Sequence, residues 1–146
     1  MIDYDDSGRP AVQVGSPGPA IVLLSEPIRR LGDEEMLDFL IRASGSWGSV
    51  ETSVETLAGD GLDDYLASLA EDFRGWEGVR TWHSLCSDLT LSAEHRPGGY
   101  VGLTWGIYDR APSEQWRFEI ATVHAAGEDM RNLAAEIRTF IEGVTE

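Results

Sequence analysis

Residues 87–95, 100–108 and 115–123 each alternate apolar and polar side chains, and only short, turn-rich connections separate them: Pro97-Gly98-Gly99 and residues 109–113. Leu89, Leu91 and Ala93 mark one side of the first segment, Val101, Leu103, Trp105 and Ile107 of the second, and Trp116, Phe118, Ile120 and Thr122 of the third. A period of two sends alternate side chains to opposite faces of a strand, and connections this short allow only antiparallel pairing. The segments therefore predict a three-stranded meander with one apolar face. Such a face has to be covered.

Two segments with helical period supply the cover. After Gly59, residues Leu62, Tyr65, Leu66, Leu69 and Phe73 fall on one stripe, with Asp60 near the N-cap and Asp63 and Asp64 in the first turn, where the helix dipole favours anions. Gly75 ends this helix. Met130, Leu133, Ala134, Ile137 and Ile141 form a second stripe, opened at Gly127-Glu128-Asp129 and closed by Gly143. Upstream, 11–14 and 20–24 read as short strands split by Gly15-Ser16-Pro17-Gly18-Pro19, 27–35 as a polar connection and 36–43 as a buried strand stopped by Gly45 and Gly48. Between residues 47 and 57, Val50, Thr52, Val54 and Thr56 oppose Glu51, Ser53 and Glu55, the pattern of a half-solvated strand. Residues 76–82 read as an irregular aromatic connection. The expectation is a single α+β domain over 1–146, with a mostly antiparallel sheet of about six or seven strands and two amphipathic helices in the order ββββ-α-βββ-α. Residues 1–10 are expected to be a mobile acidic tail.

Charge narrows the partners. Twenty-six acidic residues face eleven basic ones, all Arg, for a formal charge of −15. That field repels phosphate backbones and anionic lipids, so neither nucleic acid nor membrane is an expected partner. Residues 1–73 carry 15 acids and 4 Arg, against 11 acids and 7 Arg in 74–146, so the first half is the more acidic. The longest aliphatic run, 20–24, is far below the roughly 20 residues of a membrane span. A single cysteine and a start without basic or apolar leader regions point to the cytoplasm.

Catalytic and metal signals are thin. His83 and Cys86 stand in an H-x-x-C spacing, but a structural zinc site needs four N or S ligands, which would require His95 and His124 to converge with them. Asp3, Asp5, Ser7 and Gly8 imitate the opening of a calcium loop whose closing position falls on Val14 instead of a bidentate Glu. No metal and no cofactor is expected. Phosphate-loop, dinucleotide and hydrolase signatures are missing from the sequence, so no catalytic residue is assigned. Trp105 and Trp116 lie in phase with apolar strand positions and read as core. Trp76 and Trp82 either cap the sheet or line a cleft, where with Arg74 and Arg80 they would form an aromatic-cationic recognition patch.

The run Phe73-Arg74-Gly75-Trp76-Glu77-Gly78, followed by Trp82, Ser84-Leu85 and Asp88-Leu89, resembles an actinobacterial family, domain of unknown function 6228. Ala126-Gly127-Glu128-Asp129-Met130, with Leu133-Ala134 and Phe140, is similar to that family's closing helix, so the resemblance covers roughly 36–142. It implies a small cytoplasmic actinobacterial domain and transfers no catalytic residue. Cys86 departs from the family pattern.

The first functional expectation is a non-enzymatic protein-binding module, of the antitoxin or immunity-inhibitor type, that masks a basic protein partner through Glu51, Glu55, Asp63 and Asp64. The alternative is a small-molecule binding domain using an aromatic cleft near Trp76 and Trp82. A third is an enzyme built on His83, His95 and acidic residues.

Overall fold

The computed structural model describes residues 3–4, 10–15, 20–30, 33–109 and 113–143. Its first sheet contains β1 (Asp3–Tyr4), β2 (Pro10–Val14), β3 (Ile21–Arg30), β4 (Asp33–Gly45) and β5 (Gly48–Leu57). A 3-10 turn, Ala58–Gly61, leads into α1 (Leu62–Glu71). The second sheet contains β6 (Val79–His83), β7 (Leu89–Arg96), β8 (Tyr100–Tyr108) and β9 (Arg117–Ala125), and α2 (Glu128–Glu142) follows. Every pairing is antiparallel between consecutive strands. The chain thus twice runs a meander and then a helix.

The fold class agrees with the expectation, while the single sheet and the element order do not. β5 does not pair with β6, because the chain between them holds α1 instead of a hairpin turn. β6 falls where an irregular connection was expected: its Val79, Thr81 and His83 are exposed and only Arg80 and Trp82 turn partly inward, opposite Ala93 and Leu91. That is too little apolar contrast to read as a strand. Of the polar segment 27–35, residues 27–30 and 33–35 extend β3 and β4 instead of interrupting them. Glu26, at φ 50°, and the buried Pro27 sit at a register shift between Ser25 and Ile28, where a bulge removes the need for a ladder N–H that proline lacks. Of the expected tail, Asp3 and Tyr4 pair with Ala11 and Pro10. Pro10 opens β2, while residues 1–2 and 5–9, including Asp5, Ser7 and Gly8, lie outside the described residues, as does 16–19.

One core joins all four parts: Leu24, Leu37 and Ile41 from the first sheet, Leu91, Leu103 and Trp105 from the second, Leu62, Leu66 and Leu69 from α1, and Met130, Ile137 and Phe140 from α2. The helices pack on each other, and Phe140 meets Phe39 of β4 edge to face at 5.6 Å. One buried polar pair lies in this core: Trp105 Nε1–H donates to Thr122 Oγ1 at 3.0 Å, and that hydroxyl lies 2.8 Å from His124 Nε2. Two positions depart from expectation. Phe73 lies beyond the end of α1 and is 48% exposed, because the helical stripe stops at Glu71. Trp116 precedes β9 and is 42% exposed, so period-two phase did not carry it into the core. Asp60 stands near the N-cap as expected: the N-cap itself is Gly61 at φ 74°, and Asp60 Oδ2 accepts the Leu85 N–H at 2.6 Å. Among the described residues, no helix is long and apolar enough to cross a membrane.

Candidate functional site

The turn between β6 and β7 is held by a buried hydrogen-bonded clasp. Ser84 Oγ donates to Asp88 Oδ1 at 2.6 Å and accepts the Leu89 N–H at 3.1 Å, with both side chains buried. Asp88 Oδ2 accepts the Glu55 N–H at 3.4 Å, which fastens this turn to β5 of the first sheet. Backbone bonds from Ser84 N–H to Leu89 O and from Ser87 N–H to Ser84 O, each 2.9 Å, complete the turn. Cys86 is exposed on it, and its thiol approaches Glu55 Oε2 at 3.9 Å.

Beside it stands the turn between β8 and β9. Tyr108 N–H reaches Asp88 O at 3.0 Å, Asp109 N–H reaches Trp116 O at 2.9 Å, and Gln115 N–H reaches Asp109 Oδ2 at 3.1 Å. The two turns enclose a cleft of about 570 Å³ lined by Cys86, Thr90, Tyr108, Asp109, Glu114, Trp116 and Arg117, among others. Gly106 shapes one wall. A Cβ there would fall 2.5 Å from Thr90 Oγ1 and 2.7 Å from the Tyr108 ring, so only glycine lets that ring lie along its own strand, with its hydroxyl 3.4 Å from Glu119. The cleft therefore combines two aromatic side chains with the carboxylates of Asp109 and Glu114, and Glu55 and Glu119 extend the acidic rim. That chemistry suits a cation.

The residues expected to form a recognition patch lie elsewhere. Trp76 is half-buried, gives its Nε1–H to Ala93 O at 3.3 Å and meets the His95 ring edge to face at 5.4 Å. The Arg80 guanidinium lies 4.8 Å over the Trp76 ring and closes on Asp72 Oδ2 at 2.6 Å, while the Arg80 carbonyl accepts the Tyr65 hydroxyl at 2.8 Å. Burial pushes that phenol's pKa well up, against the lowering effect of nearby Arg80. Trp82 gives its Nε1–H to Asp60 O at 2.8 Å, and the exposed Arg74 stacks 5.6 Å from the Phe73 ring. Trp76 and Arg80 are thus brought together and Trp82 is not, and their polar groups serve to bind α1 to the second sheet.

Of the expected acidic contacts, Glu51 is exposed opposite Arg42, and Glu55 is half-buried at the rim of the cleft. Asp63 and Asp64 instead accept Arg138 of α2 at 2.9 and 3.1 Å and clamp the two helices together. His95 lies at Trp76, His124 at Thr122 and Cys86 at Glu55. No group of three or more His, Cys, Asp or Glu that could hold a metal ion is found among the described residues. Reading the sequence missed the cleft because Trp116 shares phase with Phe118 and Ile120. The available signal was the aromatic and acidic pairing on both sides of one turn, Tyr108-Asp109 before it and Glu114-Gln115-Trp116 after it.

Fold and cleft together define an α+β protein of two meander-and-helix units around one core, with an aromatic, acid-rimmed cleft between two strand connections. The chain belongs to the family of unknown function DUF6228, whose model matches residues 13–144 and so takes in β3 and part of β2 as well as the segments that carried the resemblance. No curated protein and no solved structure matches it. The segments that carried the resemblance are joints of the fold. Gly75, at φ 118°, abuts His95, Ser84 and Asp88 form the clasp, and Asp129 Oδ2 accepts the Ala125 N–H at 3.2 Å where α2 begins.

Proposed function

We propose that the protein is a non-enzymatic binding module for a basic protein partner, engaged by the outward face of β5 and the adjoining cleft. The observation that carries this reading is the cleft itself, in which Tyr108 and Trp116 stand among carboxylates and which Cys86 joins to Glu55. The formal charge of −15 draws cationic surfaces toward the protein and repels anionic ones. A masking inhibitor of the antitoxin or immunity type, acting in the cytoplasm, is the specific form we favour. Asp63 and Asp64 would meet a partner only beside Arg138, which both already engage.

The test is capture of partners on the immobilised protein, followed by association kinetics at low and high salt. A basic partner whose on-rate falls as salt rises, and falls further on Glu51→Arg with Glu55→Arg, supports the reading. An acidic partner, or an on-rate indifferent to salt and to both reversals, refutes it. A second reading, binding of a small cationic molecule, is favoured by the size of the cleft, which lies within the roughly 300–1,000 Å³ of ligand pockets.

A further inference from the structure

We infer that the cleft between the β6–β7 and β8–β9 turns seats an arginine side chain of the partner, with the guanidinium against Trp116 and Tyr108 and in reach of Asp109 and Glu114. This rests on the basic-partner reading above and names its anchor. The chain itself already holds one arginine by the same chemistry: Arg80 lies over an indole at 4.8 Å and closes on a carboxylate at 2.6 Å. The cleft offers that pairing toward solvent, with a Trp that is 42% exposed and two carboxylates beside it. Asp109 uses one oxygen to accept the Gln115 N–H, and a carboxylate has acceptor sites to spare for the planar, two-pronged guanidinium. The carboxylate is thereby oriented before any ligand arrives. Glu114 stands on strained backbone at φ 44°, on the same connection.

Charge and size point the same way. Arg117 is the one cation among the described lining residues, which also include Asp109 and Glu114, while Glu55 lies near Cys86 and Glu119 near Tyr108. Among the described lining residues the carboxylates outnumber the cation, and Asp109 and Glu114 are the groups that an incoming cation would engage. Arginine is preferred to lysine because a weakly hydrated planar cation stacks on an aromatic face and bridges carboxylates, whereas an ammonium is a compact, strongly hydrated point charge. A cleft of about 570 Å³ has room for the side chain and part of the peptide that bears it.

The experiment titrates isotope-labelled full-length protein with acetyl-Gly-Arg-Gly-amide, its lysine counterpart and its citrulline counterpart at physiological salt, following backbone amide resonances. Saturable shifts confined to 84–90 and 108–117 with the arginine peptide, weaker with lysine and lost with citrulline, are expected. Trp116→Ala and the isosteric pair Asp109→Asn with Glu114→Gln should each weaken binding about fivefold or more. The pair Glu71→Gln with Glu77→Gln removes the same charge away from the cleft and should leave the affinity within about twofold, since screening acts over about 8 Å. Shifts elsewhere, no saturation, equal binding of lysine or citrulline, or equal loss in the remote pair would overturn the assignment. If a captured basic partner responds to Glu51→Arg with Glu55→Arg and ignores Trp116→Ala, the anchor is wrong and the basic-partner reading stands. If no captured partner is basic, the reading itself fails.

Discussion

Replacing Ser84 by Ala removes one oxygen and breaks two buried interactions at once. The hydroxyl donates to Asp88 Oδ1 at 2.6 Å and accepts the Leu89 N–H at 3.1 Å, with Ser84 fully buried and Asp88 1% exposed. A hydrogen bond to a charged acceptor is worth about 1.5–3 kcal/mol, and a buried N–H left without a partner costs about 1–3 kcal/mol. The two losses fall on one network and do not simply add, so a destabilisation of about 2–4 kcal/mol is expected. For a chain of this length, each kcal/mol lowers Tm by about 2–4 °C, which places the expected drop at about 4–16 °C. Urea denaturation read by far-ultraviolet circular dichroism gives the free energy, and a thermal melt gives the midpoint. The double variant Ser84→Ala with Asp88→Ala closes a cycle whose coupling should exceed about 0.5 kcal/mol. A loss under about 0.5 kcal/mol in the single variant, the range of an ordinary surface change, would refute the clasp as a structural joint.

Leu69→Ala should cost about 2–5 kcal/mol, because Leu69 is fully buried on the α1 stripe; chemical denaturation measures it, and a surface-sized loss would place that stripe in solvent. Burial holds His124 below the usual imidazole pKa, with Asp129 pulling the other way, so the unfolded chain takes up this proton first as pH falls. Its contribution to stability is complete above about pH 6.5 and is lost as pH drops toward the folded value. His124→Gln should therefore flatten the slope of stability between about pH 7 and 5.5, and an unchanged slope would show that another group sets it. Purified protein should hold no stoichiometric zinc or calcium by elemental analysis and should melt at the same temperature with chelator, whereas one equivalent of zinc lost on His83→Ala would contradict this.

Much of the architecture was legible wherever one face of an element is buried. Val54 and Thr56 are buried while Glu51 and Ser53 are exposed, as the alternation of 47–57 implied, and β8 runs over the same residues as its alternating segment. Both helices lie where their stripes placed them, apart from Phe73. Strands with less contrast were not legible: β6 turns two polar residues and a valine to solvent, and the β3–β4 extension needed a bulge that no short-range pattern announces. The site was less legible than the fold. The contacts of the expected residues were not legible: Glu55 lies near Cys86, Arg80 lies over the Trp76 ring, and Asp63 and Asp64 engage Arg138.

By itself the sequence determined the α+β class, the antiparallel order, the two amphipathic helices and the acidic field, because periodicity, turn chemistry and net charge are local or additive properties of the chain. Only the tertiary structure decided that there are two sheets, that Tyr108 and Trp116 line one cleft, and which carboxylates are already engaged. Each of these depends on residues far apart in sequence meeting in space: Asp88 with Glu55, Asp63 with Arg138, Tyr108 with Glu119. Whether a given Trp or Asp faces solvent, a neighbouring helix or a cleft is settled by the partner that packing brings to it, and neither period nor composition encodes that partner.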